Sequence, residues 1–172
     1  SFSFVPKCDM GIFVSNTNYN CMRTRNLLVC LLLILSAGAL VGGGAFLVFP
    51  EGWMEMTPEL VLQHSPFKNF LIPGLILFTV LGLMPIFVVW GLIKRKDCKF
   101  AQALNLLPDM HWAWTWSAYI GFALIIWIYM QVYFLQGFHW LHSFYFFYGV
   151  LLLVIVLLKP LRKSYSVKNK TN

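Results

Sequence analysis

The side chains best suited to binding or chemistry lie close to a short Gln136-Gly137 turn between two long apolar segments. Gln131 lies six residues before Gly137, and His142 lies five residues after it. On an antiparallel helical hairpin the two would sit at a similar depth, about 8–9 Å into the apolar layer. Polar groups at such a depth tend to be paired or functional. One hypothesis is therefore a ligand-binding pocket lined by Gln131, His142, Tyr145 and Trp140.

Two other interpretations of the same residues stay open. A hydrogen bond between Gln131 and His142 would contribute about 0.6 kcal/mol and would serve as structural glue, which is the interpretation the sequence favours. His139 and His142 also share a helix face and could hold a metal or a haem edge. Metal sites need three or four ligands, however, and of the other histidines only His64 lies on that side, while His111 lies on the opposite one. We therefore predict neither a metal nor another cofactor.

The remaining reactive side chains argue against an enzyme, and we predict no catalytic residue. Glu51, Glu55 and Glu59 have the spacing of one helix face, but Pro58 interrupts any common helix, which favours a solvated acidic loop. No nucleophile elbow, phosphate loop or paired carboxylate occurs. The cysteines form no C-x-x-C pair and fall on or near the predicted cytoplasmic side, where thiols stay reduced: Cys8, Cys21, Cys30 and Cys98.

The elements that must position these side chains follow from composition. Of the 172 residues, 59% are hydrophobic and 11% are charged, with a mean hydropathy of +0.72. A soluble domain carries about 25% charged residues, and a short chain cannot bury such an apolar excess. This excludes a soluble enzyme, a disordered protein and a nucleic-acid-binding domain. The solvent for most of the chain is lipid.

Four stretches contain no Asp, Glu, Lys or Arg and are long enough to cross the hydrocarbon layer as helices. They are Leu27–Phe49, Phe70–Ile93, Trp112–Leu135 and Phe138–Leu158. Because these runs are continuous rather than alternating, they do not fit a barrel. The sequence predicts an all-α, four-helix transmembrane bundle at 27–158, with a flank at 1–26 and a basic tail at 159–172.

Basic residues predict the orientation, because they are retained on the cytoplasmic side. All of the 13 Lys and Arg residues except Lys68 fall in the N-terminal flank, in the loop after the second span or in the tail. Both termini are therefore predicted to be cytoplasmic. Trp112, Trp114 and Trp116 predict an aromatic belt at the inner interface. The net charge of +7 is explained by orientation, so the predicted partners are membrane lipid, another membrane protein or a second copy, and no nucleic acid.

Two alternatives concern the N-terminal region. Met22-Arg23-Thr24-Arg25 precedes the apolar run as a natural start would, so we assign no function to residues 1–21. Ala37-Gly38-Ala39 fits a signal-peptidase site, which would make the first span a cleaved signal peptide. The apolar run continues through Leu40–Phe49 without a break, and this favours an uncleaved span.

Three local features bear on packing and motion. Thr57-Pro58-Glu59 in the outer loop predicts the start of a short interfacial helix, against the alternative of a plain connector. Gly38 and Gly42 form a small-xxx-small face that would pack either on the second span or in a homodimer. Pro85 lies well inside the second span and predicts a kink.

Several short segments together carry a resemblance: Phe49-Pro50-Glu51-Gly52, Ser65-Pro66-Phe67, Leu71-Ile72-Pro73-Gly74, Trp127-Ile128-Tyr129-Met130-Gln131 and Trp140-Leu141. Over Leu27–Lys159 the chain resembles an uncharacterised family of small bacterial four-helix integral membrane proteins. The resemblance implies four spans and a bacterial cytoplasmic membrane, and it implies no catalytic motif or substrate. Similar proteins are expected to carry glutamine where His142 stands.

These observations favour a multi-pass, non-enzymatic accessory, interaction or scaffold protein. The first alternative is a protein that binds lipid or a small molecule in an outer-half pocket. The second is a small oligomeric transporter with a hinge at Pro85, although no mid-membrane charge or internal repeat supports it.

Overall fold

The computed structural model of the protein describes residues 15–52, 67–135 and 139–167. Within these ranges the chain is helical and contains no strand, apart from an isolated bridge between Met110 and Ser166. Four helices are long and apolar enough to cross a membrane: Tyr19–Val48, Leu71–Lys94, Trp112–Phe134 and Trp140–Leu157. This confirms the predicted all-α class with four membrane-spanning helices. The predicted interfacial helix at Thr57-Pro58-Glu59 lies outside the described residues.

The described helices are α1 (Ser15–Val48), α2 (Leu71–Lys94), α3 (Lys99–Ala103), α4 (Trp112–Leu135), α5 (Trp140–Leu157) and α6 (Lys159–Tyr165). α1 packs mainly on α2, α2 on α4, and α4 on α5, while the contact between α1 and α5 is slighter. α6, the short helix that follows α5, packs on α1, and the two meet at the end of the bundle where α1 begins. We call this the basic end, because exposed cations surround it: Arg23, Lys94, Lys96, Lys99, Lys159, Arg162 and Lys163. The opposite half is the outer half.

The helices come closest where glycines face one another. A Cβ atom on Gly43 of α1 would lie 2.7 Å from the backbone nitrogen of Phe78 and 3.0 Å from the carbonyl oxygen of Gly74, so only hydrogen fits there. Gly121 and Gly149 bring α4 and α5 together in the same way, since a Cβ on Gly149 would lie 3.3 Å from the Gly121 oxygen. Close backbone approach of this kind is the usual basis of helix association in lipid.

The second span, α2, has an irregular helical segment just before Pro85. Residues Leu77–Leu83 of α2 are π-helical, and the backbone N–H of Met84 donates to the carbonyl of Thr79, five residues earlier. Pro85 has no N–H and crowds the preceding turn, and the wider π turn relieves that crowding. The Gly82 carbonyl in this segment accepts a 2.6 Å hydrogen bond from the Ser36 hydroxyl of α1. The structure thus has a π-helical segment just before the position where the sequence predicts a kink.

The segment predicted as a basic tail contributes to the core. After Leu158, α6 places Leu161 and Tyr165 one helical turn apart, and neither side chain is exposed. The charged residues Arg162 and Lys163 face outward between them. Backbone hydrogen bonds from His111 to Tyr165 and from Val167 to Asp109 join this segment to the start of α4. The basic end is therefore closed by chain that lies beyond the last span.

Candidate functional site

A cavity of about 190 Å³ lies in the outer half, where all four long helices contribute to its wall. Most of the wall is aliphatic, and Trp127, Gln131 and Tyr145 interrupt it. We call this space the outer-half cavity. Its lining residues are Leu35, Gly38, Ala39, Gly42, Leu77, Leu81, Leu124, Trp127, Ile128, Gln131 and Tyr145.

Small residues on α1 leave this space open. A Cβ on Gly38 would lie 3.7 Å from the Tyr145 hydroxyl oxygen, and one on Gly42 would lie 3.7 Å from Leu77 Cδ2. Both are ordinary van der Waals distances, unlike the close backbone contact at Gly43. Gly38 and Gly42, which the sequence marked for helix packing, thus line the cavity, while Gly43 makes the tight contact with α2. Since Gly38 is exposed, the mouth of the cavity lies along the seam between α1 and α5.

Besides the indole of Trp127, two hydrogen-bonding groups line the cavity, the amide of Gln131 on α4 and the hydroxyl of Tyr145 on α5. Both side chains are half-buried, and they lie about 6–8 Å below the outer ends of their helices. Within the described ranges, neither group forms a hydrogen bond with another residue. An unpaired polar group in hydrocarbon is costly, so these two groups are suited to a ligand that enters the cavity and pairs with them.

The cavity is closed toward the basic end. The Tyr148 hydroxyl donates to the Leu31 carbonyl at 2.8 Å and joins α5 to α1 below the cavity. Leu32 and Leu152 are fully buried at about the same level. The space therefore has an apolar floor, hydrogen-bonding groups near its outer end and a lateral mouth.

The other two predicted pocket residues lie at the start of α5, outside the lining of the cavity. Trp140 is 67% exposed. His142 accepts a 3.0 Å hydrogen bond at Nδ1 from the backbone N–H of His139, as the third residue of a reciprocal cap on the helix. The structure therefore brings together Gln131 and Tyr145 of the predicted set, and places Trp140 and His142 elsewhere.

No group of three or more His, Cys, Asp and Glu residues suited to a metal occurs in the described part of the chain. His64 lies outside that part. The cavity wall instead offers an amide, a phenol, an indole and aliphatic surface. This is the chemistry of binding a mostly apolar molecule with few polar contacts.

Sequence reasoning missed most of the cavity wall. Leu124, Ile128 and Gln131 follow one another at helical spacing on α4 and share a face with Trp127 close by, which is a signal present in the sequence. Nothing in the sequence, however, indicates that this face meets Gly38 rather than lipid. That relation depends on how the helices are rotated about their axes.

At the basic end, aromatic side chains supply hydrogen bonds where helices end. Trp114 Nε1 donates to the Val156 carbonyl at 2.9 Å, and the helical donor to that carbonyl would be Pro160, which has no N–H. The Tyr165 hydroxyl donates at 2.7 Å to the carbonyl of Leu92 near the end of α2. Burial raises the pKa of Tyr165, which keeps this hydroxyl protonated as a donor.

Trp112 and Trp116 bind the loop that precedes α4. Their indole nitrogens donate to the carbonyls of Lys96 and Ala101, at 2.9 and 3.1 Å. The tryptophans predicted as an aromatic belt, Trp114 included, are at most 8% exposed. These indoles can be buried because each N–H donates to a backbone carbonyl, either between Lys96 and Ala101 or near the end of α5.

A polar cluster around Arg95 completes the basic end. Arg95 ends α2 in the left-handed conformation (φ 50°), donates from Nη2 to Ser164 Oγ at 2.9 Å, and stacks on Tyr165 with Cζ 4.6 Å from the ring centre. His111 is 3% exposed and accepts the Ala113 N–H at Nδ1. Burial lowers the pKa of His111, against the opposing charge of Asp97, and the charge of Arg95 lowers it further.

Comparisons of the chain with protein-family models, curated proteins and solved structures find no match. Independently of any family, the protein is a small multi-pass membrane protein with a four-helix bundle.

Proposed function

We propose that this protein is a non-enzymatic protein of a bacterial cytoplasmic membrane that binds one hydrocarbon chain with a hydrogen-bonding head in the outer-half cavity. The observation that carries the proposal is the convergence of Gln131 and Tyr145 on one cavity. These groups come from different helices and lack a hydrogen-bonding partner among the described residues. A carbonyl or hydroxyl on the ligand would satisfy both.

The size of the cavity favours a single chain. About 190 Å³ corresponds to roughly six water molecules, and it is below the roughly 300–1,000 Å³ that holds a drug-sized ligand. The wall below Gln131 and Tyr145 is aliphatic, with Leu35 and Leu81 at the base. A fatty acyl or isoprenoid segment fits this wall, while the rest of the molecule leaves through the mouth at Gly38 into the bilayer.

Binding of this kind suits an accessory or scaffold role, in which the bound amphiphile is retained rather than converted. The partner would be another membrane protein or a second copy of the chain. Both possibilities are accessible to the same experiment, because a protein partner and a retained lipid are detected together in the intact complex.

A second candidate function, transport of the amphiphile, is favoured by one observation. Leu77 and Leu81 lie in the π-helical segment of α2 and also line the cavity. Segments of this kind occur frequently at functional sites. If the segment is a moving gate, Pro85→Ala should slow amphiphile flux in proteoliposomes while leaving equilibrium binding intact. Unchanged flux would argue against the gate.

The test of the main proposal is purification in mild detergent or nanodiscs, followed by intact-complex mass spectrometry and analysis of extracted lipid. The wild type should retain a stoichiometric amphiphile. Gln131→Leu and Tyr145→Phe should each weaken retention about tenfold, because each removes one hydrogen bond in an apolar site. Tyr129→Phe, at a side chain that is 67% exposed, is the matched control and should retain the ligand fully.

A cavity-filling variant gives an independent readout. Gly38→Leu places a side chain in the mouth beside Tyr145 and should abolish retention. A wild type that holds no amphiphile, together with unfolding of Gln131→Leu, would instead show that Gln131 is structural glue. A stoichiometric protein without bound lipid would make the accessory role independent of the cavity.

A further inference from the structure

Arg25 lies on the buried face of α1 at the basic end, far from the outer-half cavity. Cys21 is 4% exposed, and Leu28 and Leu32 are 0% exposed, so the inward stripe of α1 recurs every three or four residues. Arg25 occupies the position on this stripe between Cys21 and Leu28, and it is half-buried. A cation therefore stands where the pattern otherwise places apolar side chains.

The guanidinium of Arg25 is incompletely satisfied. Its Nε atom is buried and has no hydrogen-bond partner in the described part of the protein. Its Nη2 atom makes a long contact, 3.5 Å, with the amide oxygen of its neighbour Asn26. Burying an arginine nitrogen without an acceptor is costly, and such groups in membrane proteins mark binding sites or ion pathways.

A second guanidinium approaches the same region from α2. Arg95 is held by its hydrogen bond to Ser164 and by its stacking on Tyr165. The charges of both Arg25 and Arg95 act on the Tyr165 hydroxyl and oppose the rise in its pKa caused by burial. The helix that contains Tyr165 packs on α1, and Arg95 stacks on the Tyr165 ring, so the two cationic side chains lie at the same end of the bundle, near one fully buried tyrosine.

No described carboxylate neutralises Arg25. Asp97 and Asp109 are exposed, Asp97 acts on His111, and Glu51 lies beyond the other end of α1. Within the described ranges, Arg25 forms no ion pair. Among the described residues, Arg25 therefore lacks an anion that would pair with its charge.

We propose that Arg25 and Arg95 bind a phosphate group at the basic end. Guanidinium forks match phosphate oxygens and form charge-assisted hydrogen bonds to them. Arg25 precedes the first apolar residue of the span by two positions, and Arg95 directly follows α2. This is the level of lipid headgroups, so the phosphate belongs either to an anionic lipid of the cytoplasmic leaflet or to a soluble phosphate compound.

The test compares wild type with Arg25→Gln and with Arg23→Gln, which removes the same charge from an exposed position two residues away. Each protein is placed in phosphatidylcholine nanodiscs, with or without phosphatidic acid. Thermal unfolding is followed by tryptophan fluorescence and lipid retention by intact-complex mass spectrometry. Phosphatidic acid should raise the Tm of wild type and Arg23→Gln. Arg25→Gln should bind it at least about tenfold more weakly and show little Tm rise.

A third arm adds inorganic phosphate to the phosphatidylcholine discs. Stabilisation in this arm identifies a soluble phosphate compound as the source, whereas stabilisation by phosphatidic acid alone identifies lipid. Equal responses of Arg25→Gln and Arg23→Gln, or no response of wild type in any arm, would overturn the proposal. If Arg25→Gln does not fold, Arg25→Lys retains the charge but loses the fork. It should then bind several-fold more weakly than wild type, and wild-type affinity in Arg25→Lys would also overturn the proposal.

Discussion

At the basic end, Trp112, Trp114 and Trp116 each donate their indole N–H to a backbone carbonyl, whereas in the outer half Gln131 and Tyr145 have no such partner among the described residues. Both regions place polar atoms next to apolar helices. In the first, side chains complete the hydrogen bonding of helix ends and loops. In the second, an open space is left beside the polar atoms. The difference separates the part of the bundle that fixes the fold from the part that is suited to a ligand.

The glycines of the two regions also differ in how tightly they are packed. A Cβ on Gly91, near the basic end of α2, would overlap the indole of Trp112 and lie 3.0 Å from the Cβ of Ala113. A Cβ on Gly38 would touch the Tyr145 hydroxyl at an ordinary 3.7 Å. A side chain larger than hydrogen does not fit at Gly91, whereas a methyl group fits at Gly38. Functional regions are often the less tightly packed parts of a structure.

The largest expected effect is that of Gly91→Ala, which tests the tight packing of the basic end. Trp112 is fully buried and its ring stacks on Phe87 with centroids 4.9 Å apart, so the indole has little room to move. Overpacking should cost about 3 kcal/mol. The matched control Gly38→Ala should change the free energy of unfolding by less than about 0.5 kcal/mol. Denaturant unfolding in detergent measures both, and equal losses would remove the contrast between the regions.

Trp114→Phe should have the next largest effect, about 2 kcal/mol, because it leaves the Val156 carbonyl without a donor in a buried site. Trp90→Phe is the control, since the Trp90 side chain is 42% exposed and stacks on Phe87 without a hydrogen bond described for its indole. A loss of similar size in both variants would assign the effect to ring size instead of the hydrogen bond.

Tyr148→Phe tests the floor between the two regions. Removing the hydroxyl breaks the bond to the Leu31 carbonyl and should cost about 1 kcal/mol. It should also increase hydrogen exchange along the seam between α1 and α5. If exchange at the basic end rises equally, the floor does not separate the two regions, and the comparison fails at this point.

The stability of the basic end should depend on pH through His111. Its folded-state pKa lies below the usual 6.5, chiefly because burial disfavours the imidazolium. The unfolded chain therefore binds the proton more readily. This contribution to stability is present above pH 6.5 and is lost as pH falls through the folded-state pKa. A Tm series toward acidic pH should show the decline, and His111→Asn should flatten it, while His139→Asn, at an exposed position, should not.

The smallest expected effect is that of Trp140→Leu on amphiphile retention. Trp140 is 67% exposed and does not line the outer-half cavity, so retention should change by less than about twofold. The mass-spectrometric assay used for Gln131→Leu measures it. A loss as large as that of Gln131→Leu would extend the site to the outer surface of α5.

The sequence predicted the spans closely and the candidate site in part. The second span was predicted at Phe70–Ile93 and is Leu71–Lys94. The agreement is close because the length of a stretch without charged residues can be counted directly in the sequence. The first helix begins at Ser15, ahead of the apolar run, since polar turns can continue a helix into water. Gln131 and Tyr145 could be selected because polar residues stand out in an apolar segment. Nothing comparable marks Leu35 or Leu81 as cavity residues.

The glycine prediction shows the limit most clearly. Gly38 and Gly42 have the spacing of a packing motif, yet the structure makes its closest backbone contact at Gly43, while Gly38 and Gly42 line the outer-half cavity at ordinary contact distances from Tyr145 and Leu77. Successive residues of a helix are rotated by about 100° around its axis, so Gly43 lies on a different face from its neighbour Gly42. Which of the three meets α2 depends on the rotation of α1 within the bundle.

By itself the sequence determined that the protein is helical, that it has four spans and that the described basic residues other than Lys68 lie at one end. These properties depend on sums of hydropathy and charge along the chain, to which each residue contributes independently of its distant neighbours. Only the tertiary structure decided that Trp114 supplies the hydrogen bond that Pro160 cannot, that Tyr165 is buried beneath Arg95, and that Gln131 faces the same cavity as Tyr145. These relations join residues far apart in the chain, and the rotation and depth of each helix in the packed bundle fix them.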